Sequence, residues 1–163
     1  MSNKQIGYWY VAGQFILLLA ILSLPPATGW SDSTPLAYLA NGAFAVGWVV
    51  LLLSSFRLGR SLTANPVPLE RASLKTTGLY AVVRHPIYLG IILIGGGLAI
   101  KTENWLGFLE LAALIVLLNF KARFEEKMLR VKFPEYSAYA SRVGRLLPWL
   151  GRDKNGSTGG GSY

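Results

Sequence analysis

The stretch IYLGIILIGGGLAI-KTEN-WLGFLELAALIVLLNF, residues 87–120, decides the fold. Two apolar runs, 87–100 and 105–120, are separated by only four polar residues. A helix that spans a bilayer usually needs about 17–25 residues. The first run would cover only about 21 Å at about 1.5 Å per residue, so it must borrow flanking residues or meet a thin bilayer. The short link predicts a tight antiparallel pair of helices.

Two earlier apolar runs, residues 8–24 and 36–55, are long enough to span directly. The first follows Lys4 and could imitate a signal peptide, but its aromatic start favours a retained span. The pattern therefore predicts an all-α, integral membrane four-helix bundle in a single domain of residues 1–150. The predicted spans are residues 8–24, 36–55, 86–101 and 105–122.

Two segments of this bundle leave alternatives open. Gly95, Gly96 and Gly97 permit close helix packing, although three glycines together also loosen a helix; close packing is favoured. Residues 134–148 have apolar side chains at helical spacing, which predicts an amphipathic helix on the membrane surface or a lid over a site. The Gly/Ser-rich residues 151–163 resemble a linker and are predicted to be a disordered tail.

The charges favour membrane orientation over nucleic-acid binding. The net charge is +8, yet only 15% of residues are charged, and they lie between and after the apolar runs. In a four-span arrangement, fifteen of the sixteen basic residues fall on one side. The positive-inside rule then places both termini in the cytoplasm of a multi-pass protein, with the cell inner membrane as the expected location. The chain has no cysteine and one histidine, so a metal partner is not expected.

Two polar clusters, residues 78–90 and 123–139, could carry chemistry, and a helical hairpin would bring them to the same membrane face. Pro86 suits the first position of a helix, and His85 before it could cap that helix. The structural interpretation has Arg84 reaching lipid phosphates. The functional one has a helix N-terminus that attracts an anion, with Tyr88 one turn inward.

The adjacent carboxylates Glu125 and Glu126 are predicted to differ. At 100° per residue, Glu125 falls inside the apolar sector of its helix and Glu126 at the border of the polar sector. Glu126 would then pair on the helix surface with Arg123 and Arg130. An inward carboxylate near a membrane is a functional candidate, so Glu125 is either a ligand contact or the partner of Arg84.

These clusters resemble the isoprenylcysteine carboxyl methyltransferase and phospholipid N-methyltransferase superfamily of integral membrane enzymes. The likeness covers residues 58–148, and one departure is Pro134, where many relatives have glycine. The matching residues are Gly78-Leu79-Tyr80, Arg84-His85-Pro86-x-Tyr88-x-Gly90, Glu125-Glu126-x-x-Leu129, and Phe133-x-x-Tyr136-x-x-Tyr139-x-x-x-Val143 with Pro148.

The resemblance implies a helical site for S-adenosylmethionine rather than a soluble dinucleotide-type fold. It also implies methyl transfer to a lipophilic acceptor, in a protein whose other partners are membrane lipids. An isoprenylcysteine-like carboxylate is the favoured acceptor. The alternatives are N-methylation of a phospholipid or amine, S-methylation of a thiol, a nicotinamide-dependent reductase of the sterol-reductase type, and a non-enzymatic protein that binds anionic lipid. The implied catalytic residues are His85, Glu125 and Arg84, and the implied cofactor-binding residues are Tyr80, His85, Pro86, Tyr88, Gly90, Glu125 and Glu126.

Overall fold

A computed structural model describes residues 1–25 and 34–153 of the protein. This part of the chain forms five α-helices and no β-strand, which confirms the all-α class. Helices α1, α2 and α4 are each long and apolar enough to cross a membrane, whereas α3 is shorter, as its run of apolar residues predicts. The helices are α1 Asn3–Ser23, α2 Thr34–Leu58, α3 Pro86–Lys101, α4 Trp105–Lys132 and α5 Tyr136–Arg142.

Capping residues account for where the helices begin. Helix α1 starts five residues before its predicted span because Ser2 and Gln5 form a reciprocal capping box. Helix α4 starts at Trp105 because the side chain of Asn104 accepts a hydrogen bond from the Leu106 amide at 3.0 Å. The helix continues past the predicted end of the span at residue 122 and ends at Lys132.

Small residues let α3 pack closely against its neighbours. A Cβ atom added to Gly90 would lie 2.8 Å from the Gly47 carbonyl oxygen of α2, and one added to Gly97 would lie 2.7 Å from the Ala40 carbonyl oxygen. Helix α3 is continuous through its three consecutive glycines. Close packing is therefore the correct interpretation of this glycine cluster, and the backbones of α2 and α3 approach where side chains would keep them apart.

The C-terminal helix is shorter than the predicted residues 134–148. Helix α5 ends at Arg142, and residues 143–153, here called the C-terminal strap, fold back over the start of α3. The Arg84 amide donates to the Gly144 carbonyl at 2.8 Å, and the His85 amide donates to the Arg145 carbonyl at 3.1 Å. The strap thus covers the site-bearing end of the bundle.

The described structure includes the first three residues of the predicted tail. The Asp153 amide donates to the Ala140 carbonyl at 3.1 Å, and the Asp153 carboxylate pairs with Arg130. Residues 151–153 therefore belong to the strap, while the prediction for residues 154–163 falls outside the described residues.

Candidate functional site

A cavity of about 320 Å³ lies between the helices at the end that the strap covers. Side chains of α1, α3, α4 and α5 line it, together with residues of the connection between α2 and α3. Its volume lies at the lower end of the range of small-molecule sites, about 300–1,000 Å³. The hairpin of α3 and α4 brings the two polar clusters of the sequence to the cavity wall.

His85 connects the two clusters. Its Nε2 atom lies 3.2 Å from Glu126 Oε1, and its Nδ1 atom lies 3.6 Å from Glu125 Oε2. Pro86 occupies the first helical position as predicted, but the His85 side chain makes no capping hydrogen bond. The predicted capping role of His85 is therefore wrong, because its imidazole is turned between the two carboxylates of α4.

Glu126 is the buried carboxylate, which corrects the prediction that it lies on the helix surface. It is 1% exposed. Its oxygens lie 2.8 Å from Arg84 Nη2, 2.9 Å from Arg145 Nη2 and 3.7 Å from Arg130 Nη2. Only the Arg130 partner was expected. Arg145 of the C-terminal strap covers the border of the polar sector and encloses Glu126, while Arg123 and Lys127 in the same sector stay exposed.

Arg84 is a positioning residue rather than a free anion binder. It is 4% exposed, which rules out the predicted contact with lipid phosphates. Its Nε and Nη2 atoms lie 2.9 and 2.8 Å from Glu126 Oε1. A guanidinium has five N–H groups, and the other three point at backbone carbonyls. These belong to Ala140 at 2.6 Å, Val143 at 2.7 Å and Gly151 at 3.0 Å.

Glu125 lies on the cavity wall, on the inward side that helical periodicity predicts. It pairs with Tyr88, whose hydroxyl donates to Glu125 Oε2 at 2.7 Å, and not with Arg84. The Tyr88 ring stacks on His85 with centroids 5.2 Å apart and planes within 3°. The Glu125 side chain remains 27% exposed, so its carboxylate can still contact a ligand.

The remaining predicted site residues divide between the cavity and the helix interface. Tyr80 lines the cavity, and its carbonyl accepts a hydrogen bond from the Tyr139 hydroxyl. Pro86 and Gly90 are absent from the cavity wall among the described residues, and Gly90 packs against α2. Their roles in cofactor binding stay predictions.

Three residues on the cavity wall were missed by sequence reasoning. Lys121 and Gln14 form a buried pair, with Lys121 Nζ 2.8 Å from Gln14 Oε1. A polar residue in the middle of an apolar run was the available signal for Gln14, and a basic residue one turn before Glu125 was the signal for Lys121. Tyr136 is 1% exposed, and its hydroxyl has no hydrogen-bond partner in the described part of the chain.

The chain resembles two groups of curated proteins. It is 28% identical to the nickel-cobalt-cadmium resistance protein NccN of Alcaligenes xylosoxydans xylosoxydans, over 97% of this chain and 71% of that protein. It is 31% identical to a methanethiol S-methyltransferase of a Pseudomonas species, over 82% of this chain and 55% of that enzyme. It is 30% identical to methanethiol S-methyltransferase 1 of Bradyrhizobium diazoefficiens, over 76% of this chain and 47% of that enzyme. The chain spans about half the length of these two methyltransferases.

The sequence profile of the phospholipid methyltransferase family matches residues 36–135. The match begins in α2, includes α3, α4 and the first polar cluster, and ends at residue 135 within the second, so it contains His85, Glu125 and Glu126. It extends over more than half of the chain. The protein therefore belongs to the phospholipid methyltransferase family, within the isoprenylcysteine carboxyl methyltransferase-like superfamily.

Proposed function

We propose that the protein is a membrane methyltransferase that takes a methyl group from S-adenosylmethionine and transfers it to a lipophilic acceptor. The observation that supports this most directly is that two polar groups suited to a ligand line the same cavity. Glu125 presents a partly exposed carboxylate, and Tyr136 presents a buried hydroxyl that has no hydrogen-bond partner within residues 1–25 and 34–153. Unpaired buried polar groups are costly, so the cavity is suited to a polar ligand.

The residues on the wall fit the chemistry of S-adenosylmethionine. The cofactor has a sulfonium and an ammonium group, which suit the Glu125 carboxylate. It also has a carboxylate, which suits a hydroxyl donor or a helix N-terminus such as that of α3. Burial raises the pKa of Tyr136 above its usual value, so its hydroxyl remains a donor at neutral pH.

The residues around Glu125 hold it in place for this role. When bound, S-adenosylmethionine supplies an electrophilic methyl group on a positively charged sulfur. Tyr88 and His85 hold the Glu125 carboxylate from one side, so little reorganisation is needed on binding. Arg84 and Glu126 fasten the C-terminal strap over the site, which limits the access of water from that end.

The acceptor is proposed by class. A carboxylate of the isoprenylcysteine kind is ionised at neutral pH, whereas an ammonium acceptor must first lose a proton. A thiol is the second candidate because several relatives are named methanethiol S-methyltransferase, and that name specifies methylation of a thiol sulfur. N-methylation of a phospholipid or amine is the less favoured alternative.

Binding of S-adenosylhomocysteine to the full-length protein in lipid nanodiscs tests this proposal by calorimetry. We expect the wild type to bind, and Glu125→Gln to bind at least tenfold more weakly because an ionic hydrogen bond contributes about 1.5–3 kcal/mol. The matched control is Glu135→Gln, which changes an exposed carboxylate before α5. A folded wild type that binds NADPH instead would support the reductase alternative. A wild type that binds neither compound would support the lipid-binding alternative.

We also propose that the protein is a multi-pass protein of the inner membrane with both termini in the cytoplasm. Fifteen of the sixteen basic residues lie on one side of a four-span arrangement. Because the chain has no cysteine, single substitutions Ser2→Cys and Lys101→Cys, both at exposed positions, provide clean labels for the two sides. We expect an impermeant thiol reagent applied to intact cells to spare the first position. Labelling of Ser2→Cys alone would reverse the orientation.

A further inference from the structure

Lys121 is a buried cation on the cavity wall. It is 2% exposed and lies on α4 one turn before Glu125. Its Nζ atom lies 2.8 Å from Gln14 Oε1 and 5.0 Å from the centroid of the Tyr88 ring. Both of these direct partners are neutral. The Glu125 carboxylate acts on this ammonium only through space, without a hydrogen bond or ion pair between them. A buried charge held directly by neutral groups in a membrane protein is costly and marks a functional candidate.

The ammonium of Lys121 is available to a ligand, whereas the nearby guanidinium groups are committed. Arg84 and Arg145 both pair with the buried carboxylate of Glu126. An ammonium has three donors, and the Gln14 carbonyl oxygen accepts from one of them. Lys121 therefore brings positive charge into the cavity with donor capacity to spare.

The surroundings of Lys121 suit an apolar molecule with an acidic end. Ile91 of α3 and Phe15 of α1 line the cavity together with Lys121 and Gln14. Phe15 is also 54% exposed on the outer face of α1, so the cavity borders the lipid-facing surface at this residue. An apolar chain can occupy this part of the cavity with its charged group at the ammonium.

We propose that Lys121 binds the anionic nucleophile of the methyl acceptor, a thiolate or a carboxylate carried on an apolar chain. This inference rests on the proposed methyltransferase function and narrows its substrate class. An ammonium stabilises an anion in a cavity of low dielectric constant and repels a protonated amine. Lys121 thus selects acidic acceptors against amines, and Gln14 positions it.

A purely structural role predicts different behaviour. A polar pair between α1 and α4 could serve only to join the two helices. Lys121→Met would then leave the Gln14 amide buried without its partner and destabilise the protein. The double variant Gln14→Met/Lys121→Met would regain stability, because replacing both partners of a buried polar pair by apolar groups is often nearly neutral. The double variant therefore separates loss of charge from loss of folding.

The test measures acceptor binding to the full-length protein in nanodiscs saturated with S-adenosylhomocysteine. The acidic probes are hexanoate and 1-hexanethiol. The comparison probes, 1-hexanol and hexylamine, have the same chain length and are neutral and basic, respectively. We expect at least one acid to bind the wild type more tightly than 1-hexanol and hexylamine. Lys121→Met and the double variant should bind that acid at least tenfold more weakly than the wild type does. Their affinity for 1-hexanol should stay within twofold of the wild-type value. Gln14→Met and the exposed control Lys127→Met should retain preference for the acid. The acid that loses affinity distinguishes a thiol acceptor from a carboxylate acceptor.

Three results would overturn the inference. The first is a wild type with no preference for either acid over 1-hexanol, and the second is a double variant that binds the preferred acid as well as the wild type does. Loss of S-adenosylhomocysteine binding in the stable double variant would place the ammonium on the cofactor instead of the acceptor. Failure of the proposed function is distinct from all three, because the wild type itself would then fail to bind S-adenosylhomocysteine.

Discussion

Replacing Glu126 with glutamine should lower the free energy of unfolding by about 3–5 kcal/mol, the usual effect of removing one partner from a buried ion pair. The carboxylate is 1% exposed and contacts Arg84 and Arg145 at 2.8 and 2.9 Å. The amide of glutamine keeps the shape of the side chain but leaves two guanidinium groups beside it without a counter-charge. A buried uncompensated charge is more costly than the lost attraction alone.

Thermal and denaturant unfolding in detergent measures this loss. Two neighbouring substitutions provide the comparison. Glu125→Gln should change stability much less, because its side chain is 27% exposed and faces the cavity, and Glu135→Gln should have little effect on an exposed carboxylate. Equal stability losses at Glu125 and Glu126 would contradict the different positions that the structure gives them.

Substitution of Arg84 by methionine should release the C-terminal strap from the bundle. Methionine fills much of the same volume but has no donors for the carbonyls of Ala140, Val143 and Gly151. Glu126 would also lose one of its buried charged partners. We expect a loss of several kcal/mol, because breaking a buried pair alone costs about 3–5 kcal/mol, and we expect the loss to be concentrated in residues 140–153.

Hydrogen exchange followed by mass spectrometry locates this effect along the chain. Amides bonded within the strap, including Arg145 to the Leu150 carbonyl, should exchange faster in Arg84→Met. Arg142→Met is the matched control, since it removes an exposed arginine from the same segment. Unchanged exchange in residues 140–153 would show that Arg84 does not hold the strap.

The apolar runs and the short link of residues 101–104 were sufficient to predict the helices and the hairpin. Apolar run length and capping are local properties, so the limits of α3 and α4 follow from residues close to them in sequence. The hairpin then brings the two polar clusters to the same end of the bundle, as predicted, and there His85 contacts both carboxylates of α4. The family resemblance likewise depended on motifs that are local in sequence.

The burial of Glu126 shows where sequence reasoning ended. Helical periodicity placed Glu125 inward and Glu126 at a polar border, and both positions on the helix are correct. Periodicity describes one helix, however, and does not show what packs against its polar side. Arg145 reaches Glu126 from nineteen residues away, so burial of that carboxylate depends on the fold of the strap.

The sequence by itself determined the membrane helices, the hairpin and the two motifs that meet at its end, because each depends on the spacing of nearby residues. Only the tertiary structure decided which carboxylate is buried and that Arg84 fastens the strap. It also decided that, among the described residues, the Lys121 ammonium is held directly by the neutral Gln14 and lies beside Tyr88. These features depend on contacts between distant segments, such as Gln14 with Lys121. Such contacts set the local charge and solvation of each group, and these in turn determine what the cavity can bind.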